Sequence, residues 1–221
     1  MPFAPTAELS DELVNCLIKA GLLAVVDLSA IRGVSITSDL TTHRSQATLQ
    51  WRLSETLLAE LIQELEQIAK NGNWPQHWYT QIEELAFDLA LAECQEFYAW
   101  CGNERQFPDV NGKSKTGMIR NLLDEFSVGD CCSVIYSGAR FASDYFVRTA
   151  CSPLNAANYM LSTCQRLAND ARRNNWEIRS FQRNVNCPRS MMSYVLYNTF
   201  LKIGEAGFST PIALIKMPSR C

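Results

Sequence analysis

Apolar positions recur at helical spacing near the start of the chain. In residues 7–24 they repeat every three or four positions, with Thr6 placed to cap the first turn. Gly33 interrupts the pattern, and apolar and polar residues then alternate on both sides of a polar loop. Alternation is typical of half-buried strands, so the sequence predicts a β-hairpin here. Its inward positions are Val34, Ile36, Ala47, Leu49 and Trp51.

Two longer apolar stripes follow. The first lies between Ser54, which can cap a helix, and Gly72, which can end one. The second runs from about Pro75 to Cys101, with Gly102 just beyond it. Because a short turn joins the two stripes, the sequence predicts an antiparallel helical hairpin.

The middle of the chain is more polar. Residues 103–116 are polar and contain one proline and one glycine, which indicates a linker or mobile loop. A short helix over 117–126 is predicted next. Residues 131–148 alternate well enough to predict two strands around a turn at Ser137 and Gly138.

The last third mixes both patterns. Pro153 opens a predicted helix, and Pro188 opens another, which Gly204 and Gly207 close. The apolar run at 212–217 predicts a final strand. The predicted class is therefore α+β and helix-rich, with an N-terminal helical hairpin, short antiparallel strands and a C-terminal mixed α/β part.

Charge divides the 221-residue chain in a way that its total of −3 conceals. Residues 1–112 carry six Lys and Arg against 16 Asp and Glu, a balance of −10, and residues 113–221 carry 14 against seven, a balance of +7. We expect an acidic, mainly helical domain followed by a basic, arginine-rich one, unless both belong to one continuous domain. Such asymmetry is typical of proteins whose basic part contacts an anionic partner.

Arginine dominates the basic half. From residue 131 onward the chain has nine Arg and two Lys, and a planar guanidinium binds phosphate and stacks on bases. Aromatic residues lie among these arginines, a pattern typical of proteins that bind single-stranded nucleic acid. The sequence therefore predicts contact with RNA or single-stranded DNA through Arg166, Arg172, Arg173, Trp176, Arg179, Phe181, Arg183 and Arg189.

A second interpretation of the same charges needs no nucleic acid. Arg166 and Arg173 lie four and three positions from Asp170, where helical ion pairs form. The two halves can also attract each other, or dock on other proteins. The alternative function is thus a protein–protein interaction module, an adaptor, inhibitor or subunit of a larger complex. In either interpretation the acidic helices would mediate assembly with a protein partner or a second copy.

A smaller candidate anion site lies around the predicted central hairpin. Tyr136 and Arg140 bracket its turn, and Arg148 follows in the second strand. Charges on an edge strand also discourage aggregation, so this cluster has an alternative that requires no ligand.

No motif of known chemistry is complete. Gly112-Lys113-Ser114 resembles the end of a phosphate-binding loop, but its first glycine is replaced by Phe107. The two histidines, His43 and His77, have no ligand at metal-binding spacing. Two carboxylates of the second long helix, Glu84 and Asp88, share a face without the histidine that a bundle metal site needs. We therefore predict no catalytic residue, metal or cofactor and favour a non-enzymatic protein. A third alternative is an enzyme of unrecognised type, in which His43 or His77 would meet a cysteine or paired carboxylates in space.

The nine cysteines indicate the compartment. Their number is odd, none forms a CxxC pair, and most fall in predicted elements, so we expect reduced thiols buried in the core. The N-terminus lacks the basic stretch of a secretory signal, and no apolar run is long enough to span a bilayer. A cytoplasmic protein without membrane contact is the resulting expectation.

Overall fold

The computed structural model describes residues 1–25, 51–53, 55–72, 74–110 and 112–216. The chain forms two compact units. The smaller one spans Ala7–Trp74, and the larger one combines Met1–Thr6 with the chain from Pro75 onward.

The smaller unit contains two helices and a two-stranded ribbon. Its elements are α1 (Ala7–Lys19), β1 (Leu23–Val25), β2 (Trp51–Leu53) and α2 (Glu55–Asn71). The two strands are antiparallel, with Leu23 opposite Leu53. Gly21 follows α1 at φ +72°, a conformation that only glycine adopts without strain, and this ends the helix before the ribbon.

The ribbon differs from the predicted hairpin. The prediction extended the first helix to residue 24, whereas β1 occupies its last part. Trp51 lies in a strand as predicted, but its described partner is Val25. The other predicted strand positions, from Val34 to Leu49, and the predicted cap Ser54 lie outside the described residues.

The described part of the larger unit contains helices and loops but no strand. Its elements are α3 (Gln76–Asn103), α4 (Gly112–Leu123), α5 (Val128–Thr149), α6 (Pro153–Asn174), α7 (Met191–Tyr194), a π-helical turn (Val195–Phe200), α8 (Ala206–Ser209) and a 3₁₀ turn (Ile212–Leu214).

The α+β prediction is wrong, chiefly because residues 131–148 form one continuous helix, α5. Its start is set by a capping box, in which the Ser127 side chain accepts from the Asp130 backbone and the Asp130 carboxylate accepts from the Ser127 backbone. Gly138, which resembled a turn residue, instead lets α6 approach. A β-carbon there would collide with Cys164 Sγ and lie 3.2 Å from the Met160 carbonyl oxygen.

Other predictions have mixed outcomes. The helix opened by Pro153 is confirmed as α6, and the long second helix is confirmed as α3. The predicted loop 103–116 is wrong in its last part, because α4 already begins at Gly112. The predicted strand at 212–217 is wrong as well, since Ile212–Leu214 is a 3₁₀ turn.

The core of the larger unit lies between α3, α4, α5 and α6. Large side chains such as Leu89, Ile119, Ile135 and Met160 are almost entirely excluded from solvent. Burial of each such side chain contributes roughly 1.5–3 kcal/mol. Among the described residues, no helix is both long and apolar enough to cross a membrane.

The helices α5 and α6 are antiparallel neighbours. Gly138 contacts Cys164, while Tyr145 stacks on Tyr159 with ring centroids 4.3 Å apart. Moving forward along α5 therefore means moving backward along α6. Helix α3 comes from the acidic part of the sequence and α5 from the basic part, yet the two helices pack on each other in this unit. The division into an acidic and a basic domain at residue 112 stays a prediction.

The first residues of the chain also belong to the larger unit. The carbonyl oxygens of Pro2 and Phe3 accept hydrogen bonds from the backbone of Met191 and Met192, at 2.8 and 3.0 Å. Ala4 is buried. The N-terminal segment is thus held at the start of α7.

Candidate functional site

Arg183 lies inside the larger unit rather than on a binding surface. Its Nη1 is 3.1 Å from Glu93 Oε1 and its Nη2 donates to Glu93 Oε2 at 3.2 Å. Its Nε lies 3.7 Å from Glu205 Oε2, and its guanidinium is 4.4 Å from the centre of the Phe208 ring. The side chain is only 16% exposed. Arg183 therefore neutralises a buried carboxylate.

The same carboxylate binds a pair of serines. Ser193 Oγ donates to Glu93 Oε1 at 2.6 Å, and Ser190 Oγ donates to Ser193 Oγ at 3.1 Å. Ser190 also caps α7 by accepting from the Ser193 backbone. Both serines are fully buried. This chain of hydrogen bonds fixes the start of α7 against α3.

Arg189 completes the buried network. Its Nη1 is 2.9 Å from Glu205 Oε1, and its Nη2 donates to the carbonyl oxygen of Ser193 at 3.2 Å. The guanidinium also lies 5.5 Å from the centre of the Tyr194 ring. Like Arg183, Arg189 is engaged by the protein itself.

Phe181 is likewise structural. Its ring lies 5.3 Å from that of Tyr136 and 6.4 Å, edge-on, from that of Phe97. Its backbone N–H donates to the Gly129 carbonyl oxygen at 3.0 Å. Phe181 therefore packs the segment after α6 onto α5 and α3.

The candidate anion site does not form around a turn, because Tyr136, Arg140 and Arg148 all lie on α5. Tyr136 belongs to the aromatic contact with Phe181, and Arg105 lies over its ring at 5.5 Å. Arg140 and Arg148 are exposed. Neither makes an ion pair with any residue that the structure describes.

Arg172 lies in a groove between α4 and α6. Its Nη2 donates to the Asn121 carbonyl oxygen at 2.5 Å, and its Nε bonds Glu125 Oε1 at 3.0 Å. It also donates to the side-chain oxygens of Asn169, at 3.2 Å, and Asn121, at 3.4 Å. Unlike Arg183, this arginine borders an open cavity.

The groove has a volume of about 400 Å³. Carboxamides supply much of its polar surface, and Gly117 leaves space in its α4 wall, since no atom lies within 4 Å of where a side chain would begin. We call this cavity the α4–α6 groove. It is lined by Ser114, Gly117, Met118, Asn121, Leu122, Gln165, Ala168, Asn169 and Arg172.

Two exposed arginines flank the groove on α6. Arg166 and Arg173 lie three positions before and four positions after Asn169, so the three residues share one helical stripe. Arg166 is 4.0 Å from Asp170, the ion pair expected from the sequence. Arg173 makes no ion pair within the described part of the chain.

Trp176 and Arg179 follow the end of α6. Asn175, at φ 52°, terminates the helix in the left-handed conformation. The Trp176 side chain is then 58% exposed, and Arg179 is exposed beyond it. Of the eight residues that the sequence predicted, four are thus solvent-facing: Arg166, Arg173, Trp176 and Arg179.

The cysteines line the core. Six are buried, at positions 94, 101, 131, 132, 164 and 187, whereas Cys16 is exposed. Side-chain hydrogen bonding with Cys131 and Cys132, together with burial, raises the pKa of the Cys94 thiol well above its usual value. Burial also raises the pKa of Cys101 to about 12. Such thiols are poor nucleophiles because they stay protonated.

Metal-binding geometry is not found in the described ranges, where no group of three or more His, Cys, Asp or Glu is placed to hold an ion. Glu84 and Asp88 lie together along an open face of α3, beside Trp78 and Leu85. His77 makes a ring contact with Trp78 at 6.4 Å, and His43 lies outside the described residues.

Comparison of the chain with protein-family models, with curated proteins and with solved structures gives no match. The function must therefore be argued from the groove and its surroundings.

Proposed function

We propose that the protein is a non-enzymatic binding protein whose α4–α6 groove binds single-stranded nucleic acid, RNA or single-stranded DNA. The observation that carries this proposal is the stripe Arg166–Asn169–Arg173, which combines two exposed cations with a carboxamide of the groove wall. A nucleic-acid strand offers the matching chemistry, because it presents phosphates along one side and base edges along the other.

Charge supports the phosphate contacts. Arg166 and Arg173 lie on α6 about two helical turns apart, and both are exposed. Guanidinium groups bind phosphate through paired N–H donors, and this contact is stronger and more directional than that of a point charge such as the lysine ammonium. Arginines that are buried in ion pairs within the protein cannot do this, which removes Arg183 and Arg189 from the predicted interface. The Arg166 side chain stays 56% exposed beside Asp170 and can still reach a phosphate.

Trp176 supports base contact. Its exposed indole lies just beyond the end of α6, three residues after Arg173, and offers a flat surface for stacking. Base stacking on an aromatic side chain is worth about 1–3 kcal/mol per base and tolerates any sequence.

A salt titration tests the proposal. A fluorescent 15-nucleotide oligonucleotide of mixed sequence is titrated with the full chain at several salt concentrations. We expect affinity to fall as salt rises, because each phosphate contact releases counterions. Replacing Arg166 and Arg173 together by Ala should reduce the magnitude of the logarithmic slope by about 1.4, at about 0.7 per contact on a single strand.

The double variant Arg140→Ala/Arg148→Ala is the matched control. It removes the same charge from an exposed surface of α5 and should leave the slope almost unchanged. If both double variants behave alike, or if the wild-type protein retains no oligonucleotide at low salt, the proposal is wrong.

A protein-interaction module remains the second candidate, and exposed apolar residues favour it. Val147 is 81% exposed and Leu154 is 53% exposed, on either side of the connection between α5 and α6. The acidic side chains Glu60 and Glu64 are also exposed on α2 and would serve assembly with a partner or a second copy. Native mass analysis of the protein purified from its own cells separates the two candidate functions. The protein-interaction module requires a stoichiometric protein partner, and the variant Val147→Asp should lose that partner.

A further inference from the structure

Because of Arg172, two carboxamides of the groove present hydrogen-bond donors rather than acceptors to a ligand. A carboxamide has one oxygen acceptor and one NH₂ donor. Arg172 engages the side-chain oxygens of two of the three carboxamides that line the groove, since Nη1 donates to Asn169 Oδ1 at 3.2 Å and Nη2 to Asn121 Oδ1 at 3.4 Å. The Nδ2 groups of Asn121 and Asn169 have no partner within the described residues.

The arrangement is held in place from outside the groove. Arg172 Nε bonds Glu125 Oε1 at 3.0 Å, and Nη2 bonds the Asn121 backbone carbonyl at 2.5 Å. With its guanidinium fixed at these points, rotation of either carboxamide would turn an NH₂ group toward the cation. Arg172 is therefore a positioning residue for the two amides.

We infer that the groove prefers bases that carry a keto oxygen where cytosine and adenine carry an amino group, namely uracil, thymine and guanine. This inference rests on the proposed function. The Nδ2 donors of Asn121 and Asn169 pair with a carbonyl oxygen such as O4 of uracil, whereas the N4 amino group of cytosine places donor against donor. Arg166 and Arg173 bind phosphate and are indifferent to the base.

Two homopolymers that differ at this position test the preference. Fluorescent U15 and C15 are titrated with the full chain at one salt concentration, since uracil and cytosine are alike in size and weak stacking. We expect U15 to bind about fivefold more tightly or better, the order expected when a hydrogen bond is replaced by an unpaired donor. The pair dT15 and dC15 should show the same direction.

Two substitutions examine the cause. Arg172→Lys lacks the planar fork, frees both amide oxygens and should bring the ratio of the two dissociation constants toward one. Asn169→Asp replaces the Nδ2 donor by an acceptor of the same shape and should shift the ratio toward C15. The control Arg173→Ala should weaken both complexes equally and leave the ratio unchanged.

The outcomes separate the two proposals. Equal binding of U15 and C15 with an intact salt slope overturns the inference and leaves the proposed function standing. Absence of salt-dependent binding to either oligonucleotide overturns both. A ratio that survives both Arg172→Lys and Asn169→Asp also overturns the inference, and Asn169→Asp decides alone if the lysine variant does not fold.

Discussion

Glu93 and Arg183 are joined at two points across 90 residues of chain, with Nη1 and Nη2 of the guanidinium each facing one oxygen of the carboxylate. The Glu93 side chain is 5% exposed. A charge at this depth is stable only with its partner, because neither group recovers the water that it has lost.

Removal of the carboxylate should therefore be costly. In Glu93→Ala, Arg183 stays buried with only Glu205 nearby, and the free energy of unfolding should fall by about 3 kcal/mol, the lower end for a broken buried pair. Urea denaturation measures this. The control is Glu125→Ala, whose exposed ion pair with Arg172 should cost at most about 1 kcal/mol. An equal loss of unfolding free energy in the two variants would show that the buried ion pair stabilises the fold no more than the exposed one.

Glu96 should make stability depend on pH. Burial, and then the charge of Glu93, raise the pKa of this carboxyl to about 7, while Arg183 lowers it. A raised pKa means that the folded state holds a proton which the unfolded state has released, so stability should fall as pH rises from about 4.5 to about 7.

Glu96→Gln isolates this effect. The variant side chain cannot ionise. Its denaturation midpoint, relative to that of the wild type, should therefore rise from pH 5 to pH 8 and level off above pH 7. Other titrating groups are common to both proteins and cancel in the difference. A constant difference across this range would contradict the assignment.

Two glycines should respond in opposite ways to the same substitution. Gly138→Ala places a methyl group against Cys164 and Met160 and should destabilise the protein by about 1–3 kcal/mol, as overpacking does. Gly117→Ala meets open space within α4 and should stabilise it by about 0.5–1 kcal/mol, because alanine loses less backbone entropy. Thermal or urea unfolding of both variants gives the sign of each change in stability. If both substitutions changed stability in the same direction, the close contact of α5 with α6 would be refuted.

The thiols should differ in reactivity according to burial. Iodoacetamide added to the native protein should label Cys16, which is exposed, before any of the six buried cysteines. Cys94 and Cys164, whose pKa values are raised by their surroundings, should react only after denaturation. Mass spectrometry of digested samples identifies the labelled sites, and early labelling of Cys94 would contradict this packing.

Local signals predicted part of the fold and failed at tertiary contacts. Proline signals placed the starts of α3 and α6 well, because Pro75 directly precedes α3 and Pro153 is the first residue of α6. The turn predicted at Gly138 was wrong, since a glycine that a neighbouring helix requires looks the same in sequence as one that a turn requires. The alternation around it was weaker evidence than the capping box at Ser127 and Asp130, which the sequence also contained.

The candidate site shows the same limit. Sequence reasoning found the arginines but could not separate Arg183 and Arg189, which are neutralised inside the protein, from Arg173, which is exposed. That distinction depends for Arg183 on Glu93, 90 residues away, and for Arg189 on Glu205, 16 residues away. The groove was missed altogether, because Gln165 and Asn169 become a cavity wall only when α4 packs beside α6. The spacing of these two amides on α6 was the only local signal.

The hydrogen bonds from Met191 and Met192 to Pro2 and Phe3 impose an order on biosynthesis. Residues 1–6 leave the ribosome well before their partners, which emerge about 185 residues later in the chain. The smaller unit, Ala7–Trp74, has its whole sequence available much earlier and can fold while translation continues. The carbonyl groups of Pro2 and Phe3 therefore gain these partners only after α7 has been synthesised.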